Sequence, residues 1–375
     1  IIGGTFPTVA PDLVEPHADA IVIGELEGQT EKIAQDLKEG KLASRYWANS
    51  QPSLLKTIQP DFSLLQNERY FKFTFPLETS RGCRFNCKFC TTKKLFGKPR
   101  TRSLADIERD LSHYDHGLIE IIDVNFLNDS EHFLKVLPLL KASSAPGWTR
   151  QTTINDLVAD PKYPQIFSQS GCRSLFLGLE SNSVSGLKSI AKSWSDPKAL
   201  KDLVSRFHDE GVLVQAGVIV GLETDNEHSY DELFDFLNEA GVHAASLTYL
   251  HYYPGTKNFA AAKEKGRLAT EKLEELDGDH LAIIPKKMTS KELQMQVRRF
   301  TERLYTFGAI FNRARKARLL RYPTQLLHHL LVNLSLRDYY GTITNRPIGV
   351  RNKADPMAKL FTDLAARLLR FLWSW

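Results

Sequence analysis

Between residues 71 and 250, short apolar runs of strand length alternate with stretches patterned as helices, and this alternation limits the fold more than anything else in the chain. The runs fall at Phe71–Thr79, Leu118–Asn125, Thr149–Ile154, Arg173–Leu179, Val212–Val220 and Ala244–Leu250. Helical patterns lie between them, from about Ser103, then at Ser130–Leu140, Tyr163–Ser170, Val184–Lys192, Pro197–Glu210 and Asp231–Ala240. Ser103 and Asp106 have capping-box spacing, and Pro197 follows a Ser195 or Asp196 cap. Repeated strand–helix alternation implies a parallel sheet with helices outside. Six such units fall short of the eight that close a full barrel. The expected fold is therefore α/β, a partial and open (β/α)6 barrel whose site lies at the carboxyl ends of the strands.

Just after the first run come Arg81-Gly82-Cys83-Arg84-Phe85-Asn86-Cys87-Lys88-Phe89-Cys90. Three of the chain's four cysteines stand here, spaced CxxxCxxC. Three thiolates on one loop can hold three irons of a [4Fe–4S] cluster and leave the fourth iron open to a ligand. Zinc usually takes four ligands, and the nearest histidine, His113, is far along the chain. A disulfide framework is out of place in 375 residues with four cysteines.

The cysteine run, with aromatic Phe89 before its last cysteine, resembles the signature of the radical S-adenosylmethionine (radical SAM) superfamily. The resemblance implies that SAM chelates the open iron and is cleaved reductively to methionine and a 5′-deoxyadenosyl radical. Gly178-Leu-Glu180-Ser181 is similar to the family's fourth-strand motif, whose carboxylate meets the SAM ribose. Gly217-Val-Ile-Val-Gly221 is similar to its fifth-strand glycine motif beside the adenine, with Phe89 and Tyr249 flanking that base. The usual Gly-Gly-Glu, which binds the methionyl amine, is replaced here by Asp123-Val-Asn125-Phe126. Gln151 and Gln215 sit at the same strand ends and complete the expected cofactor-binding set. The metal ligands are Cys83, Cys87 and Cys90.

A finer resemblance is to the cobalamin-binding branch. It rests on Trp148–Asn155, Gly171–Ser181 and Leu250-His251-Tyr252-Tyr253-Pro254-Gly255-Thr256, and with the cysteine loop it spans roughly residues 70–266. Residues 1–45, opening Ile1-Ile2-Gly3-Gly4, resemble the last two strands of a Rossmann-like cobalamin domain, with an N-terminal portion missing. The Asp-x-His-x-x-Gly cobalt-ligating motif is not in these residues. Either it lies in the missing part, or the domain is degenerate. Residues 46–69 read as a linker, 70–266 as the barrel and 267–375 as a helical region contributing a substrate lid. Cys172 reads as a buried small hydrophobe rather than a fourth ligand.

Several features exclude other classes. A net charge of +5 is too small to argue for nucleic acid, and no run approaches the ~20 apolar residues of a membrane span. A cytoplasmic enzyme is expected, served by an external electron donor of flavodoxin or ferredoxin type. Arginines crowd Lys286–Leu320 as a solvated helical face, with a basic substrate mouth as the alternative. His251, Tyr252 and Tyr253, together with His328 and His329, are the expected substrate contacts. The amphipathic end, Leu360–Trp375, suits packing on the barrel, a dimer contact or a membrane surface.

Three functions remain open. The first is a radical SAM enzyme modifying a small-molecule intermediate with cobalamin assistance, as in methylation. The second is a cobalamin-free radical enzyme that abstracts hydrogen or transfers the 3-amino-3-carboxypropyl arm. The third is a non-enzymatic iron–sulfur carrier or sensor.

Overall fold

The computed structural model describes residues 1–47, 52–55, 57, 60–61, 74–114 and 117–344. The chain enters through two short helices, α1 (Thr5–Val9) and α2 (Pro11–Val14), then β1 (Ile21–Ile23), α3 (Thr30–Lys38) and β2 (Arg45–Trp47). β1 and β2 pair in parallel, and Ile2 bridges Ile21 on the other side. Val22 packs with Ile33 of α3 and Tyr46, while Ile21 and Ile23 pack on Val14. A β-α-β crossover with both faces covered is the Rossmann-like geometry expected of this segment. Ile2 holds to β1 through the Ala20 carbonyl and the Val22 amide, at 3.0 and 2.9 Å. β2 also runs across the boundary at 45/46, because Tyr46 belongs to the core of this first unit.

The barrel follows. β3 (Thr74–Leu77) leads into a two-stranded ribbon, β4 (Ser80–Arg81) with β5 (Arg100–Thr101), which brackets the cysteine loop and α4 (Thr92–Phe96). Then come α5 (Leu104–Leu111), β6 (Leu118–Ile121), α6 (Ser130–Ala142), β7 (Trp148–Thr152), α7 (Ile154–Val158), α8 (Tyr163–Gln169), β8 (Cys172–Glu180), α9 (Val184–Ser189), α10 (Leu200–Asp209), β9 (Leu213–Val220), α11 (Ser229–Ala240), β10 (Ala244–Tyr249) and α12 (Lys257–Glu264). The sheet order is β10-β9-β8-β7-β6-β3, every pair parallel. Neighbours in sequence are neighbours in the sheet, and β3 and β10 are its two edges. The open six-unit barrel is what the alternation predicts.

On β7 the alternation is visible residue by residue. Trp148, Arg150 and Thr152 are buried, and Trp148 packs edge-on to Phe126, Phe133 and Phe167 beneath α6 and α8. Gln151 points the other way and is exposed. Two strands are shorter than expected. β6 stops at Ile121 and the chain turns into a 3-10 turn at Phe126–Asp129, where Asn125 accepts a hydrogen bond from the Leu127 amide. β7 stops at Thr152, where Thr153 caps α7. In both places a side-chain cap starts the turn or helix that follows the strand. α9 likewise ends at Ser189, three residues before Lys192.

Beyond the barrel lie α13 (Ser290–Leu304), α14 (Phe307–Lys316) and α15 (Pro323–Thr344). α15 lies along the β10 edge, while α13 packs on α11 and its Leu293 reaches the Gly221 turn. An edge strand leaves backbone groups unpaired, and here two tyrosines meet them. The Tyr305 hydroxyl donates to the Ala245 carbonyl, and the Tyr340 hydroxyl accepts from the Leu247 amide at 2.7 Å. Most of the arginine-rich stretch is a solvated face, with ion pairs from Arg298 to Glu302, Arg303 to Asp231 and Arg318 to Asp209. Arg313 is the exception, fully buried and donating to the carbonyls of Leu304 and His243 and to Asn333. Leu360–Trp375 lies outside the described residues.

Candidate functional site

The cysteine loop leaves β4 at the carboxyl end of the sheet. Its entry is fixed by Asp123, which is 2% exposed and accepts from the Thr79 amide at 2.7 Å and from the hydroxyls of Thr79 and Ser80. Gly82 follows at φ +89°, and a Cβ there would run into the Lys98 carbonyl, 2.8 Å from its carbon. Asn128 donates to the Gly82 carbonyl at 2.9 Å, and Arg84 donates to the Leu127 carbonyl at 3.2 Å and pairs with buried Asp156. Asn125 in turn donates to Asp156 at 2.7 Å and accepts from Thr152 at 2.9 Å. Asp123 and Asn125 are thus buried and engaged with the scaffold. They position the loop, whereas the family resemblance pointed to a place in the cofactor-binding set.

Cys83, Cys87 and Cys90 are free thiols. Burial pushes the thiols of Cys83 and Cys87 up, that of Cys87 to about 12. The neighbouring Cys90 adds to both shifts, and Lys192 pulls Cys87 back. The three sulfurs therefore sense one another across one loop. Among the described residues, no three His, Cys, Asp or Glu side chains converge on a point that a single ion could occupy. A zinc site needs that convergence, whereas a cubane takes each thiolate on a different iron. Three free thiols on one glycine-hinged loop suit an iron–sulfur cluster. Cys172 is buried at the opposite, amino end of β8, so it packs rather than ligates.

The far side of the loop is held by the turn after α9. The Lys88 amide donates to the Ile190 carbonyl at 3.0 Å, the Lys88 ammonium to Ser189 at 2.9 Å, and Phe85 stacks on Trp194 at 3.7 Å. From this turn Lys192, 3% exposed, donates to the Gly178 carbonyl at 2.6 Å and pairs with Glu180 at 3.0 Å. Lys192 is the residue the sequence did not disclose. Its one signal was that it follows a short helix on the strand carrying Glu180, and a lone lysine at a helix end reads as surface.

Glu180 has φ +62° at a register shift between β8 and β9, a conformation that costs about 1–3 kcal/mol in a non-glycine residue and often marks a functional site. Ser181 beside it accepts from the Ser183 amide. Both line a cavity of about 150 Å³ at the ends of β8 and β9, which Asp225 and Tyr230 also line. Asp225 accepts from the amides of Gly221 and Leu222 and from the Tyr230 hydroxyl, fixing the turn at Gly221 (φ +84°). Gly217 leaves room for the Phe176 ring, 2.7 Å from where its Cβ would stand. Gln215 donates to Ser246 at 2.6 Å.

At the end of β10, the Tyr249 amide donates to the Gly278 carbonyl at 2.7 Å, and His251 Nδ1 lies 3.0 Å from the Tyr249 carbonyl. Tyr252 is buried with Ile190, Leu222 and Leu250, and Phe89 of the cysteine loop packs against this group. Tyr253 stands edge-on to His251. Its phenol is pushed up by burial and, to a lesser degree, by Cys90, which places it beside the loop. Phe89, Glu180, Ser181, Gly221, Tyr249, His251, Tyr252 and Tyr253 are therefore gathered at one end of the sheet.

His328 and His329 are not among them. Both lie on α15 beside His243, at the amino end of β10, with ring centroids 6.2 and 5.9 Å from it. His329 meets the Ile310 carbonyl at 3.0 Å. They belong to the bottom core and cannot contact a ligand at the mouth.

The first unit docks beside the loop. Arg81 and Arg100 grip buried Glu25 at 2.8 and 2.5 Å, and Lys94 donates to the carbonyls of Val9 and Gly255 at 2.7 and 3.1 Å. No helix among the described residues is long and apolar enough to cross a membrane.

Residues 77–237 match the model of the radical SAM superfamily. The chain is 26% identical over 322 residues to the bacteriochlorophyllide d C-12(1)-methyltransferase of Chlorobaculum tepidum, covering 84% of this chain and 70% of that one. The fold is similar to the radical S-adenosylmethionine methyltransferase TsrM from Kitasatospora setae, with a TM-score of 0.59 and 15% identity over 70% of this chain and 57% of that one. It is also similar to the cobalamin-dependent S-adenosylmethionine radical enzyme OxsB, with a TM-score of 0.61 and 13% identity over 98% of this chain and 62% of that one. The chain thus spans roughly three fifths of each solved relative. From the end of β3 to α11 the chain is thus similar to the radical SAM superfamily, and its fold is that of the two solved radical enzymes.

Proposed function

We propose that this chain is a radical SAM enzyme that holds a [4Fe–4S] cluster on Cys83, Cys87 and Cys90, cleaves SAM, and modifies a small-molecule biosynthetic intermediate by cobalamin-assisted methyl transfer. The observation that carries it is that the loop with three free thiols, the strained Glu180 and its cavity all lie at the carboxyl end of one parallel sheet. When bound, the cluster supplies the single electron that breaks a carbon–sulfur bond of SAM.

The chain's own residues do the rest. Glu180 offers a carboxylate to ribose hydroxyls, with Ser181 next to it. A flat base would lie by the Gly221 turn at the end of β9, with Phe89 and Tyr249 flanking it. Tyr252 and the apolar group around it exclude water from one wall. Tyr253, edge-on to His251, would hold or pass a proton at the mouth. Gln151, exposed on the barrel's inner face, is free to meet substrate. The two-stranded first unit, seated by Glu25 and Val9 against the loop, supports a cobalamin role, since its similar neighbours carry that cofactor. A cytoplasmic setting and a low-potential donor of flavodoxin or ferredoxin type follow from this reading.

The test is anaerobic reconstitution of the protein with iron and sulfide, followed by SAM, dithionite and hydroxocobalamin, with products read by mass spectrometry. Bound corrinoid and S-adenosylhomocysteine, formed when a substrate is supplied, are expected. 5′-Deoxyadenosine without corrinoid supports the cobalamin-free enzyme, and methylthioadenosine supports transfer of the aminocarboxypropyl arm. A stable cluster that leaves SAM intact would refute the enzymatic reading and favour an electron carrier.

A further inference from the structure

We propose that the outer side of α14, with the 3-10 turn that follows it at Leu319–Arg321, seats the protein on an anionic lipid surface.

Among the described residues, five large apolar side chains are more than 60% exposed. Three of them, Phe307, Phe311 and Leu320, fall within one stretch of fourteen residues. α14 has two distinct sides. Ile310, Arg313, Ala314 and Ala317 are buried at helical spacing, and Ala314 and Ala317 pack with Leu319 on Leu213 at the start of β9. Phe307, Phe311 and Arg315 follow one another a turn apart on the side left bare. Arg318, at φ +54°, then turns the chain so that Leu319 goes inward while Leu320 stays out. Exposed Arg337 of α15 lies 4.1 Å from the Phe307 ring and adds a cation to the same edge.

The fifteen residues from Phe307 to Arg321 hold five arginines and lysines and no carboxylate, as much positive charge as the whole chain's net +5. Arg313 is turned inward to Asn333, and Arg318 pairs with Asp209. Arg315 donates to Asn312 at 3.4 Å and Lys316 to the Asn238 carbonyl at 2.6 Å. Neither these two nor Arg321, all exposed, has an ion-pair partner among the described residues. Aromatic rings and a leucine rimmed by unneutralised cations suit the boundary between headgroups and acyl chains, where both kinds of side chain are used at once.

The charge also decides among occupants. A second copy would bring the same cations to the face. The chain's own Leu360–Trp375 carries Arg367 and Arg370 against Asp363, so it brings no counter-charge. A purely ionic partner would leave the two rings and Leu320 in water. The face belongs to the amino end of β9 and β10, where Arg313 donates to the His243 carbonyl, so a bilayer there leaves the mouth open.

The experiment is flotation of the full chain with vesicles of phosphatidylcholine and phosphatidylglycerol in equal parts, against vesicles of phosphatidylcholine alone. Binding to the mixed vesicles is expected, weakening as salt is raised. Each lysine or arginine near such a surface is worth about fivefold in affinity, so Arg315→Gln with Lys316→Gln and Arg321→Gln should bind about a hundredfold more weakly. Phe307→Ser with Phe311→Ser should lose about tenfold or more. Both variants replace exposed side chains, and a parent-like melting temperature separates lost binding from lost fold. A parent that stays off both kinds of vesicle overturns the proposal. Binding that survives both variants overturns it too, placing the contact on Leu360–Trp375 or elsewhere. Loss in the charge variant with none in the phenylalanine variant overturns it in favour of a purely ionic partner. A parent dimer that the phenylalanine variant converts to monomer, with vesicle binding in neither, assigns the face to a second copy instead.

Discussion

Gly82→Ala isolates the cysteine loop from the rest of the fold. Gly82 stands at φ +89°, where a residue with a Cβ pays about 1–2 kcal/mol for the left-handed side of the map. The added methyl would also meet main chain, lying 2.8 Å from the Lys98 carbonyl carbon and 3.1 Å from the Pro99 nitrogen. Backbone cannot swing aside as a side chain does, so relief of the overlap costs about 1–3 kcal/mol more. The sum, about 2–5 kcal/mol, falls on the ribbon of β4 and β5 and on the hydrogen bond from Asn128, not on the apolar core around Trp148. The population with Cys83 correctly placed should drop by a factor of about 30 to several thousand. Anaerobically reconstituted Gly82→Ala should then hold well under half the parent's iron, while far-ultraviolet circular dichroism stays that of the parent. Full iron loading with a parent-like melting temperature would refute the reasoning, since it would mean the loop accommodates a Cβ at no cost.

The remaining predictions concern the thiols, the carboxylate and the buried imidazoles. Alanine at Cys83, Cys87 or Cys90 should remove the brown cluster absorbance and SAM cleavage, whereas Cys172→Ala should keep both and lose about 1 kcal/mol of stability in urea titration. Glu180→Ala should weaken SAM binding at least tenfold in equilibrium dialysis with iron content intact; unchanged affinity would mean the ribose contact lies elsewhere. Burial holds His208, His328 and His329 down to about 4 and His243 well below its usual value. Unfolded histidines take up protons near pH 6.5 and these folded ones do not. Stability should therefore be full above pH 6.5 and lost as pH falls towards 4, by up to about 1.4 kcal/mol per pH unit for each proton taken up on unfolding. Urea midpoints at pH 7.5 and 5.0 measure this, and His243→Leu should flatten the slope.

Much of the fold was legible because it follows from one-dimensional rules. Apolar runs of strand length separated by capped amphipathic stretches can satisfy their backbones and bury their faces only as a parallel sheet under helices, and β3, β6, β7, β8, β9 and β10 pair in that order. The cysteine spacing was legible for the same local reason, since loop residues seven apart stay near one another however the chain folds. Element ends were less so. Asn125 and Thr153 could have continued their strands, but each instead caps the turn that follows, a competition decided by tertiary neighbours such as Asp156.

The polar residues divide in the same way. Asp123 and Asn125 looked like ligands because they end a strand at the active face. Whether a carboxylate there faces a ligand or the scaffold depends on what stands within 3 Å, and Thr79, Ser80 and Asp156 arrive from distant parts of the chain. His328 and His329 looked available because a pair of histidines on a helix carries no sign of which side is covered. α15 turns them against His243, beneath the sheet.

By itself the sequence determined the parallel sheet, the order of its strands and the three thiols at its carboxyl end. These depend on periodicity and short spacing, which act over a few residues. The tertiary structure alone decided that Lys192 reaches Glu180, that Glu25 clamps the first unit to the cysteine loop, and that Tyr305 and Tyr340 cover the β10 edge. Each joins residues that share no period and little proximity in sequence. The energy of such contacts exists only once packing has excluded water and brought the two partners together.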